Sequence, residues 1–503
     1  MLSALRAKHP RDKDLPERAA NLAFFRAVLD GSVYDVLSHD YHVEYIENEY
    51  VPLAQRRPSV RHNLCRITVE EVASLIFDDA RFPRIEDAKR ATISETCTQI
   101  IKEAGLAALM VQAVIVGSVG SVAILMRVLK GRLFFDVLAT DFLTPRWQPE
   151  APDTLLDVTE RYKVKGADLE ADGYDLKAIL GTRRQNTLDG ARASNWWFQR
   201  RWTLAAEEWY VPVPVRDENG ELLMPSEIDP ERSVTHNLGF VPMVWIRNLG
   251  NVSGGRPIDG PCVFAGAIET QIEMEYLLSQ GARGLKYSAD PWLVISDDDV
   301  PGSMVKSAGN ALVTSEKGDA KLLEIHGSAS QALVDYARYL RQCALETLRA
   351  NRSDPEKMSV PQSGRAIELL NHGLAGLVGD YRLAYGNDGL LRLIKMVFAA
   401  ARVMPLSVGR KRIMAPADID LGLKWPLIFP ASEHDRLEGA STLKVLVETG
   451  LMSRETATGV VAEEYDVPNA RGEIARIEAE RAAEDKRARD LAAMTKATEQ
   501  LTE

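Results

Sequence analysis

Apolar residues recur at helical spacing through the first part of the chain. In 17–35 (ERAANLAFFRAVLDGSVYD), Leu22, Phe25 and Val28 fall on one face. In 66–78 (RITVEEVASLIFD), Ile67, Val72, Leu75 and Ile76 are apolar while Glu70 and Glu71 are not. Both stretches predict amphipathic helices, and 91–111 predicts a third. The pattern then changes. Between 112 and 247 short β-type runs dominate: VAILMRVL, RLFFDVLA, TLLDVTERY, WFQRRWTL, EEWYVPVPV and FVPMVWI. Turn residues separate them, among them Lys130-Gly131-Arg132 and Asp217-Glu218-Asn219-Gly220. The prediction is a strand-rich module with helices before it.

The Gly/Pro/Ser stretch 248–261 (NLGNVSGGRPIDGP) reads as a linker or loop. A helix over 261–287 follows, with Phe264, Ile268, Ile272 and Tyr276 at steps of four. A strand-like insert occupies 291–325, and a second helix covers 328–350 with Leu333, Tyr336, Leu340, Cys343 and Thr347 on one face. Residues 351–364 (NRSDPEKMSVPQSG) form a polar loop. Residues 365–404 return to helix, kinked at glycines 373, 376, 379, 386 and 389. A short strand (DIDLGLKWPLIF) precedes helices over 433–449 and 453–463. Gly450 suits the end of the first and Ser453 the cap of the second. Residues 469–503 are Ala/Glu/Arg-rich and predict an ion-paired surface helix.

One stretch needs a membrane test. Ala104–Met126 holds 23 residues without a charge, long enough to span a bilayer. Yet GSVGS interrupts it, no aromatic belt flanks it, and Arg127 and Lys130 follow inside a strand pattern. A core helix ending near Val111, then paired strands, is the preferred reading.

Composition narrows the function classes. At 503 residues the length fits about three domains or one elaborate one. With 46% hydrophobic and 26% charged residues the chain is neither disordered nor collagen-like. A net charge of −11 argues against a protein built to wrap phosphate backbone. Cys65, Cys97, Cys262 and Cys343 form no CxxC and no metal-ligand spacing, which predicts reduced, packed thiols. GxxxxGK[ST], GxSxG, HExxH and GxGxxG are all missing from the sequence. His236 in THNLGFVP reads as a turn residue rather than a base. Asp297-Asp298-Asp299 has the chemistry for a hard cation but reads as a solvated turn. Trp196, Trp197, Trp202 and Trp209, interleaved with Arg200 and Arg201, have the chemistry of a base-stacking platform. At strand spacing they read as sheet core with basic side chains outside.

Four ordered segments carry a resemblance. The first is Arg57-Pro58-Ser59-Val60-Arg61-His62-Asn63-Leu64-Cys65-Arg66-Ile67, running into VEEVASLIF. The second is His236-Asn237-Leu238-Gly239-Phe240-Val241-Pro242-Met243-Val244 with Arg247-Asn248. The third is Gln362-Ser363-Gly364-Arg365-Ala366-Ile367. The fourth is Leu446-Val447-Glu448-Thr449-Gly450-Leu451-Met452-Ser453-Arg454-Glu455-Thr456, closing in Ile474-Ala475-Arg476-Ile477-Glu478-Ala479-Glu480. Together they resemble portal proteins of tailed bacteriophages and related gene-transfer particles. The Trp-rich run 196–209 departs from the family pattern, and residues 1–50 carry no matching motif.

The resemblance implies an α+β portal fold assembled as a ring, usually of twelve copies. Residues 1–260 would be wing, 261–290 the first stem helix, 291–327 a small α/β clip, and 328–350 the second stem helix. Residues 351–364 would be a tunnel loop, 365–417 a kinked wing helix and its return, and 418–503 a helical crown. Double-stranded DNA would pass along the axis without sequence preference. Arg349, Arg352, Lys357 and Arg365, in and around the loop, are the candidate channel cations. Asp297, Asp298, Asp299, Glu316 and Asp319 would give the clip an acidic docking surface for the terminase large subunit and the head–tail adaptor. The major capsid protein and a scaffold are further expected partners. No enzymatic activity, cofactor or membrane is expected. The place would be a capsid vertex of the virion, and the host cytoplasm during assembly. Two rival readings are a membrane-associated protein resting on 104–126, and a DNA-processing enzyme resting on Trp196–Trp209 and Asp297–Asp299.

Overall fold

A computed structural model describes every residue except 80, 88, 181–187, 218–219, 251–254, 256, 290–291, 297–318, 324–327, 351–371, 410, 429–432, 466, 468–469 and 503. The fold is mixed α+β. Two compact units divide the chain: Met1–Arg352 with Asn371–Ile428, and Ser353–Leu370 with Phe429–Glu503.

The first unit opens with α1 (Leu2–Lys8) and α2 (Glu17–Asp30). The predicted helix over 17–35 stops at Asp30 because Gly31 takes a left-handed φ of 86°. Four short strands follow: β1 (His39–Asp40), the hairpin β2 (Tyr45–Ile46) and β3 (Glu49–Tyr50), and β4 (Arg56–Arg57), which lies parallel to β1. In α3 (Leu64–Phe77), Asn63 is the cap and accepts from the Arg66 N–H at 3.0 Å. Its buried face is Val69, Val72, Ala73 and Ile76, whereas Ile67, expected inside, is 37% exposed. Strand β5 (Arg84–Asp87) precedes α4 (Ala91–Glu103) and α5 (Leu106–Gly117). These replace the single helix predicted over 91–111. The chain bends by 67° at Ala104-Gly105, and α5 runs past Val111 to Gly117.

The strand-rich part contains β6 (Ser121–Leu129), β7 (Arg132–Ala139), β8 (Leu143–Trp147) and β9 (Leu155–Lys165). Short helices α6 (Gly166–Ala171), α7 (Leu176–Leu180) and α8 (Leu188–Ala193) come next. Then follow β10 (Asn195–Trp202), β11 (Ala206–Tyr210), β12 (Val213–Pro214), β13 (Ile228–Thr235) and β14 (Met243–Arg247). One antiparallel sheet has the order β13-β11-β10-β9-β8, with β12 also beside β10; a second has β14-β6-β7. The β6–β7 turn places Lys130 and Gly131 at φ 51° and 77°, the geometry that matches the twist of a tight hairpin. The sequence pattern missed β8 and β13. Both are sheet edges carrying a proline, Pro145 and Pro230; β8 alternates but is only five residues long, and β13 carries Asp229, Glu231 and Arg232 and only two apolar side chains besides its proline.

Strand β6 has no solvent face. Val122, Ile124 and Met126 enter a core built with α3, α4, α5 and the later helices, while Ala123 and Leu125 pack on Leu143, Val158 and Trp202 of the larger sheet. Leu106, Met110, Ala113 and Val114 of α5 are fully buried in the first of these cores. The long uncharged run is therefore the interior of this unit. Among the described residues no single helix is long and apolar enough to cross a membrane, and only the bent pair α4–α5 passes such a test by composition.

The unit continues through α9 (Ile268–Ala289), β15 (Trp292–Ser296), β16 (Asp319–Leu323) and α10 (Ser328–Thr347). After α11 (His372–Tyr381) comes a ten-residue π-helical segment, Arg382–Leu391, leading directly into α12 (Arg392–Val403). The expected kink is this wider turn. At Gly386 a Cβ would lie 2.5 Å from the Trp425 ring, and at Gly389 one would lie 2.7 Å from Ile246. Strands β17 (Ser407–Val408) and β18 (Lys411–Arg412) pair with each other, and β19 (Leu421–Lys424) pairs antiparallel with β5. The second unit consists of α13 (Glu433–Glu448), α14 (Arg454–Glu464) and α15 (Ala470–Thr502). Gly450 ends α13 at φ 71°, and Ser453 caps α14 by accepting from the Thr456 N–H at 3.1 Å, as the sequence predicts.

The stretch 248–261, read as a linker or loop, is irregular at its described residues, and its two ends are clamped. Asn248 is buried, and its amide donates to the carbonyls of Gly117, Ser118 and Pro261 at 3.0, 3.3 and 3.0 Å. Its Oδ1 accepts from the Tyr385 hydroxyl at 2.9 Å. Asp259 takes a two-pronged contact from Arg18 at 2.5 and 2.7 Å and another from Ser121 at 2.5 Å. Arg18 also reaches the carbonyls of Thr140 and Leu143. Tyr385 comes this close because residue 117 is glycine: a Cβ there would sit 2.2 Å from its hydroxyl oxygen. Gly117→Ala is therefore expected to cost about 1–3 kcal/mol through overpacking. Tyr385→Phe should cost about 1–3 kcal/mol by leaving Asn248 short of a donor. Because Phe removes the clashing atom, the double variant should lose less than the sum. Thermal unfolding midpoints of the three variants check this, and strict additivity would refute the shared contact.

Candidate functional site

Helices α9 and α10 form an antiparallel hairpin. They hold 22 and 20 residues, or about 33 and 30 Å at 1.5 Å per residue. The register is set by close approaches near both ends: a Cβ at Gly266 would meet Thr347 at 2.9 Å, and one at Gly281 would meet Leu333 at 3.9 Å. The far ends connect through the ladder β15–β16, from Trp292 opposite Leu323 to Ser296 opposite Asp319. Phe264, Ile268, Ile272 and Tyr276 are buried, as their spacing predicts. On α10 the buried residues are Ala337, Ala344 and Leu345. Tyr336, expected to face inward, is instead 49% exposed and stacks on the exposed Tyr339 with ring centroids 6.5 Å apart.

A polar stripe, which the sequence reading missed, runs along the buried side of α9. Gln271, Glu275 and Ser279 are four residues apart and so share a face. Each accepts one backbone N–H from the segment ahead of α3: Cys65 to Gln271 at 3.0 Å, His62 to Glu275 at 2.9 Å, and Val60 to Ser279 at 3.0 Å. The Tyr34 hydroxyl also donates to Glu275, and the Tyr276 hydroxyl donates to the Arg56 carbonyl at 2.7 Å. The Asn63 amide reaches back to the carbonyls of Val28 and Leu29. The first resembling segment is thus a strap laid along α9. Burial pushes the Glu275 carboxyl above its ordinary range, against the pull of the Tyr34 and His62 donors. Three polar residues at four-residue steps, beside the apolar Ile268-Ile272-Tyr276 row, were the available signal.

The second resembling segment is a turn followed by β14. His236 Nδ1 accepts from the Leu238 N–H at 3.2 Å, so the histidine orders the turn. Asn237 and Gly239 both take positive φ, 50° and 79°. Burial lowers the His236 pKa.

Of the candidate channel cations, Arg349 is described. It sits just past α10 with φ 55°, a left-handed cap, and the Ala350 N–H closes onto the Leu345 carbonyl at 2.8 Å. Its guanidinium is exposed and pairs with Asp380 of α11 at 3.1 Å. Arg352, Lys357 and Arg365 lie outside the described residues, as do Asp297, Asp298, Asp299 and Glu316. Asp319 opens β16. The third resembling segment also falls outside. Trp196, Trp197 and Trp202 are fully buried, so they present no stacking platform. Arg200, expected outside, is inside with them, its guanidinium 4.5 Å from the Trp202 ring centre and paired with Glu160. Among the described residues no three His, Cys, Asp or Glu side chains gather as a metal site.

No protein-family model matches the chain, and no curated protein matches its sequence.

The strap gives a pH signature. Burial raises the native pKa of Glu275, so the stability of the neutral carboxyl is complete below the ordinary carboxylate range. It is lost as pH rises through the raised native value. Glu275→Gln keeps the size and removes the titration. The difference in melting midpoint should therefore move in favour of the glutamine variant as pH rises above the ordinary glutamate value of about 4. A difference that stays flat above that value would mean that Glu275 remains ionised.

Proposed function

We propose that this chain is a portal subunit: copies close into a ring through which double-stranded DNA enters and leaves the capsid of a tailed bacteriophage or related particle. The observation that carries the reading is the α9–α10 hairpin. It is long and antiparallel, it ends in a small β ladder, and its base is strapped by the first of the resembling segments. It also leaves Val334, Tyr336 and Tyr339 exposed at 39, 49 and 61%. Tyr336 and Tyr339, three residues apart, share one face of α10, and the neighbouring copy's hairpin is the natural cover for that exposed aromatic pair. In this reading the hairpin is the stem and β15–β16 belongs to the clip, where terminase and then the head–tail adaptor dock. The major capsid protein and a scaffold surround the ring at one capsid vertex.

The charge balance supports a conduit. Strong phosphate neutralisation would make binding tight and salt-sensitive, and would stall a moving duplex. A chain with net charge −11 repels DNA in general. Arg349, Arg352, Lys357 and Arg365 would then guide it locally.

Two measurements test this. Native mass with images of the particle comes first: twelve copies of 55.7 kDa make about 670 kDa, with a central hole. A compact dimer or tetramer without a hole overturns the reading. The second is Arg349→Gly. Glycine relieves the left-handed backbone cost of about 1 kcal/mol, and the exposed pair with Asp380 is worth no more than about that. The melting midpoint should hold or rise and the ring should form, while DNA packaged per particle falls severalfold. Unchanged packaging would leave Arg349 as a helix end and nothing more.

A further inference from the structure

Two unlike surfaces of the first unit complement each other. One is the β2–β3 hairpin. Its turn residues Glu47 and Asn48 take φ 49° and 68°, the tight geometry that needs no further loop. Tyr45, Ile46 and Tyr50 are exposed at 65, 41 and 56%, an unusual load of apolar surface for a six-residue tip. Glu47 and Glu49 are exposed beside them. So short a hairpin does not persist alone in water. Here its base is fixed. The Val51 N–H donates to the Glu44 carbonyl at 2.8 Å, and Arg283 of α9 pairs with the Glu44 carboxylate. Arg56 is fully buried beneath it, with its guanidinium 5.7 Å from the Tyr41 ring centre and 5.4 Å from that of Tyr50. Arg56 also donates to the Tyr50 hydroxyl at 3.0 Å. The tip is therefore held in one shape before it meets anything, which removes much of the ordering cost of binding.

The other surface is a cleft of about 390 Å³ between β14 and α12. Its floor is apolar: Phe240, Met243 and the edge-to-face pair Trp147–Trp245, with centroids 6.1 Å apart. Its rim is cationic. Arg247, Arg392 and Lys395 stand there with Asp153, and Asp388 lies behind Arg392. Arg392 reaches Asp388 at 3.0 Å, and Lys395 is exposed. An aromatic, doubly acidic tip fits an aromatic floor with a net positive rim in both respects.

We propose that the Tyr45–Tyr50 hairpin of one copy seats in the β14–α12 cleft of the next copy. The two faces differ, so the contact is heterologous and repeats head to tail until the rotation closes. The proposal rests on the ring reading and gives that ring a specific joint: tyrosine and isoleucine into the cleft, Glu47 and Glu49 onto Arg392 and Lys395.

The test uses full-length protein. Arg392→Glu with Lys395→Glu, and separately Glu47→Lys with Glu49→Lys, should each raise the concentration at which the assembly dissociates by about tenfold or more. Combining all four should restore it. A second, direct measurement pairs Ile46→Cys with Lys395→Cys. Oxidation should then give a ladder of multimers on a non-reducing gel that neither single variant gives. The variants are made with Cys343→Ser, since Cys343 is part-exposed; burial pushes the native Cys65 and Cys97 thiols up to about 12 and raises that of Cys262, which keeps the remaining background quiet. A ring of unchanged stability in every charge variant, with no ladder, overturns the joint and leaves the ring standing. A wild-type protein that forms no ring, with a double-cysteine variant that gives no ladder, overturns both.

Discussion

A helix that ends in the interior leaves carbonyl groups that water cannot reach, and something must donate to them. In this chain that donor is Asn248. Its amide serves Gly117, Ser118 and Pro261 where α5 turns into β6. The rest of the first unit is arranged around that junction. Strand β6 has both faces covered, so its neighbours must come from both sides: helices on one, the larger sheet on the other. Asp259 then joins α2 to the start of β6 through Arg18 and Ser121. Tyr385 completes the set from the π segment. The wide turn there and the glycine at 117 let a tyrosine hydroxyl occupy space that a methyl group would otherwise take.

Where one physical signal dominated, the chain was legible. Phe264, Ile268, Ile272 and Tyr276 repeat every four residues and are all buried. Ser453 caps α14, and Lys130-Gly131 makes the β6–β7 turn. Where composition had two physical readings, it misled. A Gly/Pro/Asn stretch is polar whether it floats in solvent or is clamped by buried amides, so reading 248–261 as a linker or loop left its clamped ends unseen. Gly105 inside an apolar run does not announce a 67° bend. Edge strands β8 and β13 each carry a proline; the alternation in β8 spans only five residues and β13 is mostly polar, so neither stood out as a strand. Of the candidate site, Arg349 was legible as a cation after a helix. Its left-handed backbone and its pairing with Asp380 depend on a contact 31 residues away.

The tryptophan run carries a wider lesson about chemistry and burial. Aromatic rings interleaved with arginines would suit nucleic-acid bases if they stood in water. Here Trp202 is fully buried, and Arg200 spends its guanidinium on that ring, on Trp209 and on Glu160. The same composition yields a sheet core whose charges are already matched. Large apolar side chains stand in water elsewhere, among them Tyr45, Ile46 and Tyr50 on a braced hairpin, and Val334, Tyr336 and Tyr339 on α10.

The strap on α9 joins parts of the chain that are far apart in sequence. Tyr34 donates to Glu275 across 241 residues, and Arg18 meets Asp259 across the same separation. A ribosome adding about 5–20 residues per second makes those partners roughly 10–50 s after the first helices emerge. Through that interval Leu22, Phe24 and Val28 can pack on Leu64, Cys65 and Val69 of α3 but lack the surface made by Phe264 and by Ile268 and Ile272 of α9. Helix α2 thus finds part of its core in α3 soon after synthesis and reaches full burial only once α9 has been added.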